Sequence, residues 1–187
     1  MRKVIVTEFI SLDGVVEAPG GEADYPHTGW TFDIELDEAV YEFKDEELAP
    51  ATTLLLGRTT YEGFAAAWPE REGSFADKFN TMEKVVVSTT LEDPSWNNTT
   101  VVRSVDDVAK LREGEGGPIM LQGSATLAKA LYKADLVDTY HLLVWPVILG
   151  SGLRLFPDDA TDKHKLTLTE TRTYKNGIQL QVLERAR

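Results

Sequence analysis

The chain of 187 residues contains no cysteine. This absence excludes a disulfide framework, a thiolate metal site and a thiol nucleophile, and it fits the cytoplasmic location that we expect. Histidine is scarce as well, and the spacing of His27, His141 and His164 is not that of metal ligands. The sequence therefore predicts chemistry without a bound metal.

Basic residues are outnumbered, with 19 Lys and Arg against 31 Asp and Glu and a formal net charge of −12. A nucleic acid or an anionic membrane surface would need a basic face, so neither is an expected partner. The expected partner is a small molecule. Because the overall field is negative, any phosphate group on that molecule must depend on a few local cations.

No hydrophobic run approaches the length of a membrane span. The apolar run at 4–10 follows two basic residues, as the core of a signal peptide would. It is short, however, contains Glu8, and leads into Ser11-Leu12-Asp13-Gly14 instead of a small-residue cleavage site. We interpret this run as the first strand of the fold.

Strand and helix patterns alternate along the chain. Apolar runs predict strands at 4–10, 52–56, 84–88, 101–102, 118–121 and 137–144, and apolar periodicity predicts helices at 36–43, 61–68, 104–111 and 127–134. The chain closes with a hairpin around a tight turn at Asn176-Gly177. This order predicts an α/β fold with a mostly parallel central sheet, flanking helices and a C-terminal antiparallel hairpin. Residues 1–187 are expected to form one domain, since no repeat or linker interrupts them.

Three predicted strands are followed by small polar residues. In chain order these are Gly57, Arg58, Thr59 and Thr60, then Ser88 and Thr89, then Gln122, Gly123, Ser124, Ala125 and Thr126. Ligands of open α/β sheets bind beyond the carboxyl ends of the strands, and helix N-termini offer free N–H groups to phosphate. Ser and Thr are also ordinary helix caps, so each strand end alone is a weak signal. Together they predict an extended ligand with several phosphates, such as a dinucleotide.

The familiar dinucleotide fingerprint is absent, because Gly150-Ser151-Gly152 lacks the third glycine and does not lead from the first strand into a helix. A different set of motifs resembles the dihydrofolate reductase superfamily, in order and over essentially the whole chain. The motifs lie at 11–14, 56–62, 86–88, 123–127 and 146–156. They are most similar to stand-alone proteins like the C-terminal domain of RibD, the bacterial riboflavin-biosynthesis deaminase/reductase.

The resemblance implies a dihydrofolate reductase-like fold, with a twisted sheet that binds NADPH. By analogy, the residues at 57–60 would hold the cofactor phosphates, those at 122–126 would lie by the pyrophosphate, and Ser88 and Thr89 would lie by the adenosine 2′-phosphate. Arg58 makes physical sense as a phosphate partner, since its guanidinium offsets the repulsion from an acidic protein.

Asp13 is the candidate catalytic residue. It ends the first strand, and in the family that position lies beside the nicotinamide. A hydride reduction needs a proton donor or an orienting acceptor near the reacting carbon. The alternative is that Asp13-Gly14 is only a turn, since Asp and Gly are common turn residues.

The substrate side of the resemblance is less complete, and its candidates are Trp30, Leu149, Gly150 and Gly152. Trp30 could stack on a planar ring, and the glycines let the backbone approach a ligand closely. For each residue the alternative is ordinary packing.

The leading prediction is an NADPH-dependent oxidoreductase that transfers a hydride to a small heterocyclic or sugar-bearing substrate, most nearly 5-amino-6-(5-phosphoribosylamino)uracil. Pterin or dihydrofolate reduction is an alternative that would need a buried acid on the first helix. The periodicity places the acids of that helix on a solvated side. A non-catalytic nucleotide-binding or ligand-sensing module is a third possibility. Related reductase domains pair, so the resemblance also implies a homodimer.

Overall fold

The structure is a computed structural model that describes residues 1–21, 24–35 and 37–187. Within these ranges the strands are Val4–Ser11 (β1), Thr53–Gly57 (β2), Glu83–Val87 (β3), Thr99–Val102 (β4), Ile119–Gln122 (β5), Thr139–Trp145 (β6), Leu166–Thr173 (β7) and Gln179–Arg185 (β8). The helices are Glu38–Leu48 (α1), Arg58–Ala67 (α2), Ser74–Thr81 (α3), Val105–Glu113 (α4) and Ala125–Lys133 (α5), with a short 3-10 helix at Trp30–Asp33.

All eight strands form one sheet in the order β4-β3-β2-β5-β1-β6-β8-β7. Every neighbouring pair from β4 to β6 is parallel. β8 is antiparallel to both β6 and β7, so the hairpin closes one edge of the sheet. The predicted α/β fold, mostly parallel with flanking helices and a C-terminal antiparallel hairpin, is confirmed.

Helices cover both faces of the sheet. Val108 of α4 and Leu127 and Leu131 of α5 are buried against one face. On the other face, α1 contributes Val40 and Phe43, while α2 and α3 contribute further aromatic residues. The central strands are therefore buried on both sides, which explains why their sequences are continuously apolar instead of alternating. In the described part of the chain, no helix is both long and apolar enough to cross a membrane.

Two elements differ from the sequence-based expectation. α3 was not predicted, because its eight residues carry only Phe75, Ala76 and Phe79 as an apolar stripe, which is too short to give a clear period. The hairpin loop has three residues instead of two, since the Tyr174 N–H donates to the Ile178 carbonyl and Gly177 takes the left-handed position at φ +87°.

The periodicity also places Leu36 on the apolar face of the first helix. That residue lies outside the described ranges.

Candidate functional site

The carboxyl ends of the parallel strands lie along one edge of the sheet, and the candidate phosphate-binding residues follow three of them. β3, β2 and β5 are neighbours in the sheet, and β2 pairs with β3 as far as Gly57 and Val87. Arg58 follows β2 and Ser88 follows β3, so these two residues leave the sheet next to each other. The structure brings the three strand ends together as one continuous surface.

A hydroxyl bridge joins the N-termini of α2 and α5. The Gly57 N–H donates to the Ser124 Oγ at 2.7 Å, and the Ser124 hydroxyl donates to the Thr60 Oγ1 at 2.8 Å. Neither helix has a side-chain N-cap, whereas the Asp37 carboxylate caps α1. The first-turn N–H groups of an α-helix have no partner within the helix. Two helix N-termini thus present free donors side by side, as an anionic ligand requires.

Close backbone approach makes this bridge possible. Gly123 has φ +72°, and a Cβ added there would lie 2.9 Å from the Thr60 Cγ2. A Cβ at Gly57 would lie 3.0 Å from the Ser124 Oγ. Ser124 itself adopts the left-handed region at φ +69°, where residues other than glycine are uncommon. We call the surface formed by residues 57–60 and 123–126 the cradle.

The nearby cations are engaged with protein groups. The Arg58 guanidinium pairs with the Glu62 carboxylate at 2.9 Å, and both side chains are about half exposed. Arg103 donates to the carbonyls of Ser88 and Leu91 at 2.9 and 2.8 Å. An exposed pair like that of Arg58 is worth little, so a phosphate group can compete for this guanidinium.

Ser88 and Lys84 have structural partners. The Ser88 Oγ accepts hydrogen bonds from the N–H groups of Thr90 and Leu91, whereas the neighbouring Thr89 and Thr90 are exposed. Lys84 is fully buried and donates to the carbonyls of Asn80 and Met82, where α3 ends. Burial lowers the pKa of Lys84 to about 8. Lys84 is therefore neither a surface charge nor part of the cradle.

A notch opens in the sheet edge beside the cradle. β5 pairs with β1 only as far as Thr7 and Gln122, whereas β1 continues along β6 to Ser11. The Lys3 carbonyl accepts a hydrogen bond from the Ile119 N–H of β5, and the Val4 carbonyl accepts one from the Asp138 N–H, next to β6. The backbone groups of successive β1 residues therefore point to opposite neighbouring strands. By this alternation the N–H and C=O of Phe9 face the notch.

Glu8 and Gln122, on the two strands that border the notch, each have a buried Oε1 atom without a hydrogen-bond partner among the described residues. Glu8 lies between Val6 and Ile10, on the face covered by α5, whereas Gln122 lies on the opposite face with Met120. Burial raises the pKa of Glu8 to about 8, with Lys44 opposing that shift. Native structures seldom leave buried acceptors unpaired, so these two atoms are candidate contacts for a ligand with hydrogen-bond donors.

Asp13 links the turn after β1 to the 149–150 loop through hydrogen bonds, at the far side of the notch. Its carboxylate accepts from the Ser11 hydroxyl at 2.7 Å and from the N–H groups of Leu149 and Gly150 at 3.1 and 2.8 Å. Partial burial raises the pKa of Asp13, but these hydrogen bonds outweigh it and lower the pKa to about 2. The carboxyl is therefore ionised at neutral pH, so it can accept hydrogen bonds but has no proton to donate to a substrate.

The candidate substrate residues all have packing or loop-fixing contacts. Leu149 and Gly150 bind Asp13, and a Cβ added to Gly152 would lie 2.8 Å from Val15 and 2.9 Å from the Tyr25 hydroxyl. Trp30 is 2% exposed, and its ring lies edge-on to that of Trp145. The structure places the Trp30 ring in the core, so stacking on a ligand would require it to leave that packing.

Sequence reasoning missed a buried ionic cluster on α1. The Lys44 ammonium pairs with the Glu47 carboxylate, which also contacts the Nδ1 of His141 at 2.7 Å and accepts from the Thr7 hydroxyl at 2.9 Å. The signal was present, since Lys44 and Glu47 continue the i+4 and i+7 positions of the face begun by Val40. α1 thus does carry a buried acid. Because its charge is balanced by Lys44, it is not free to bind a pterin ring.

Two clefts in the described residues lie away from the notch. One of about 290 Å³ separates Tyr61 and Glu62 of α2 from Leu91 and Asp93. The other, of about 280 Å³, is lined by Tyr132, Lys133, residues 159–162 and His164. We consider the cradle and the notch the better candidate site, because they combine free helix N-termini with orphaned acceptors at the carboxyl edge of the sheet.

Comparison with known proteins agrees with this architecture. YyaP of Bacillus subtilis (strain 168), described as an uncharacterized protein, is 27% identical over 188 residues, covering 95% of this chain and 92% of YyaP. A putative riboflavin biosynthesis protein from Shewanella sp. PV-4 has a TM-score of 0.74 at 18% identity, with 99% of both chains covered. Dihydrofolate reductase from Enterococcus faecalis, complexed with NADP(H) and RAB-propyl, has a TM-score of 0.65 at 17% identity, covering 99% of this chain and 97% of that one. A family model of the RibD C-terminal domain matches residues 2–180, and the chain therefore belongs to the RibD C-terminal domain family.

Proposed function

We propose that this protein is an NADPH-dependent reductase that transfers a hydride to a small heterocyclic or sugar-bearing substrate. Family membership and fold support a reductase-like function. The observation that carries the cofactor assignment is the cradle, where the Ser124 hydroxyl joins the uncapped N-termini of α2 and α5. Two adjacent helix N-termini suit a pyrophosphate.

The residues present fit this cofactor along its length. The cradle would hold the pyrophosphate, and the 2′-phosphate would lie by Arg58 and Thr89, where it could replace Glu62 as the partner of the Arg58 guanidinium. The notch would take the nicotinamide ring, since the Phe9 peptide faces it and Gln122, at the end of β5, has an unpaired acceptor atom. NADPH would supply the hydride for reduction of a substrate held on the α1 side of the notch.

The substrate we propose is nearest to 5-amino-6-(5-phosphoribosylamino)uracil, as in riboflavin biosynthesis. Pterin reduction is less well supported, because Glu47, the buried acid of α1, is already paired with Lys44 and His141. A screen of pyrimidine, pterin and carbonyl substrates, following NADPH absorbance, tests for turnover. Tight NADPH binding without oxidation by any of them would favour a ligand-sensing module.

Calorimetric titration of the purified protein with NADPH, and separately with NADH, tests the cofactor assignment. We expect NADPH to bind about tenfold or more tightly, which corresponds to roughly 1.4 kcal/mol. Arg58→Gln should remove most of that preference, since a bidentate guanidinium contact to the 2′-phosphate would be lost.

The matched control is Arg71→Gln, which removes the same charge from an arginine that lies over the Trp68 ring. If NADPH and NADH bind equally, the 2′-phosphate site is wrong. If neither binds, the cofactor assignment as a whole is wrong.

A further inference from the structure

Glu8 is a buried carboxyl group without a complete set of hydrogen bonds. Its side chain is 5% exposed, and its Oε1 has no partner among the described residues. A buried polar group in this state is costly, and native structures seldom keep one without a reason. The residue was not singled out as a candidate from the sequence, where it is simply a charge within a strand.

The position of Glu8 relates it to the notch. It is the first residue of β1 beyond Thr7, the last residue that pairs with β5. Its side chain lies on the face covered by α5, whose N-terminus forms half of the cradle. A dinucleotide whose pyrophosphate occupied the cradle would bring its nicotinamide end into the adjacent notch, on the side where Glu8 lies.

Burial favours the neutral form of the Glu8 carboxyl, and the nearest charged groups lie on α1, across the sheet from it. Burial is the largest cause of its raised pKa, the Lys44 ammonium on α1 lowers it, and the Glu47 carboxylate raises it again. His141 of β6 contacts Glu47 through its Nδ1 at 2.7 Å, on the α1 side of the sheet. The residues that α5 and β5 bury on the Glu8 face are apolar and add no charge; they are Ile119, Leu121, Leu127, Ala128 and Leu131.

We propose that Glu8, as a neutral carboxylic acid, hydrogen-bonds the carboxamide of the nicotinamide ring and so makes cofactor binding depend on a proton. A carboxylic acid offers one donor and one acceptor, and a primary amide offers the complementary pair. An ionised Glu8 could not donate, and it would be an uncompensated buried charge. This inference rests on the proposed function.

The test is calorimetric titration with two probes between about pH 7 and pH 9.5, each in two buffers of different ionisation enthalpy. The probes are NADPH and 2′-phospho-ADP-ribose, which lacks the nicotinamide. For the wild-type protein we expect the NADPH dissociation constant to rise above about pH 8, approaching tenfold per pH unit, with proton uptake on binding. The 2′-phospho-ADP-ribose constant should stay flat over the same range.

Two variants separate Glu8 from other titrating groups. Glu8→Gln should abolish the pH dependence and the proton uptake of NADPH binding, since an amide does not titrate. Lys84, whose pKa also lies near 8, is retained in this variant, so any dependence that remains belongs there. Glu8→Leu should weaken NADPH about tenfold and leave 2′-phospho-ADP-ribose unchanged, which also shows that the variant is folded.

Each remaining outcome overturns a defined statement. Wild-type NADPH binding that is independent of pH and takes up no proton overturns the role of Glu8 but leaves the cofactor assignment intact. Equal weakening of both probes by Glu8→Leu means that Glu8 acts through the fold. Failure of the wild-type protein to bind either probe overturns the proposed function and this inference together.

Discussion

At the scale of single residues, the role that the sequence predicts for Asp13 differs from the contacts that the structure shows. The sequence marks it as a catalytic carboxylate or a turn residue. The structure shows both of its oxygens accepting hydrogen bonds from the backbone of the 149–150 loop, while its own carbonyl accepts from Arg154 at 2.6 Å. Asp13 thus positions the loop at the rim of the notch, and an orienting role toward substrate stays a prediction.

Asp13→Asn should destabilise the protein by about 1–2 kcal/mol at pH 7, because an amide offers one acceptor where the carboxylate offers two. The folded pKa is lowered to about 2, so this stabilisation is complete above the unfolded value near 4 and is lost as the pH falls toward 2. Urea unfolding at pH 7 and at pH 3 should show the gap between wild type and variant shrinking. A gap that grows with acid would contradict this assignment, and Asp33→Asn, at an exposed position, is the control.

At the scale of elements, α1 joins the sheet through charge as well as through apolar contact. Lys44 and Glu47 are both nearly fully buried, and His141 of β6 completes the cluster. Breaking a buried pair leaves an uncompensated charge in a medium of low dielectric constant. The attachment of α1 therefore depends on Lys44 and Glu47 together, because removal of either one leaves the charge of the other buried and uncompensated.

Lys44→Met should lower the free energy of unfolding by about 3–5 kcal/mol, since Glu47 loses its main counter-charge. Lys110→Met breaks the exposed pair with Asp107 and should have a much smaller effect, because solvent screens exposed charges. Adding Glu47→Gln to Lys44→Met should recover part of the loss. Urea denaturation of these variants measures all three effects, and equal losses for Lys44→Met and Lys110→Met would show that the buried pair contributes nothing special.

The elements themselves were largely predictable, and the site only in part. The strand runs and the C-terminal hairpin follow from local patterns, which the structure confirms. Which strands become neighbours depends on long-range pairing that no local pattern records. The notch exists because β5 is shorter than β1. The raised pKa of Glu8 depends on its burial in the folded protein. Neither feature could be derived from residue spacing alone.

At the scale of the whole molecule, the net charge of −12 shapes the encounter with an anionic ligand. The protein as a whole repels NADPH, while Arg58 attracts it only at close range. Added salt screens the long-range field more strongly than the contact itself.

The association rate for NADPH should therefore rise as the ionic strength increases from about 0.01 to 0.15 M, as the Debye length shortens from about 30 to 8 Å. Stopped-flow tryptophan fluorescence measures this rate, and NADH, which carries less charge, should show a smaller increase. A rate that falls with salt would mean that local cations dominate the field at the site. The proposed homodimer can be checked on the same material by sedimentation.

The short β5 strand has one more consequence. Because β1 loses its neighbour after Thr7, the peptide of Phe9 is held in the sheet from the β6 side while its own N–H faces the notch. The Phe9 N–H can therefore report whether the notch is occupied. Its rate of hydrogen–deuterium exchange should slow when any molecule fills the notch, so occupancy could be followed at a single backbone position before the occupant has been identified.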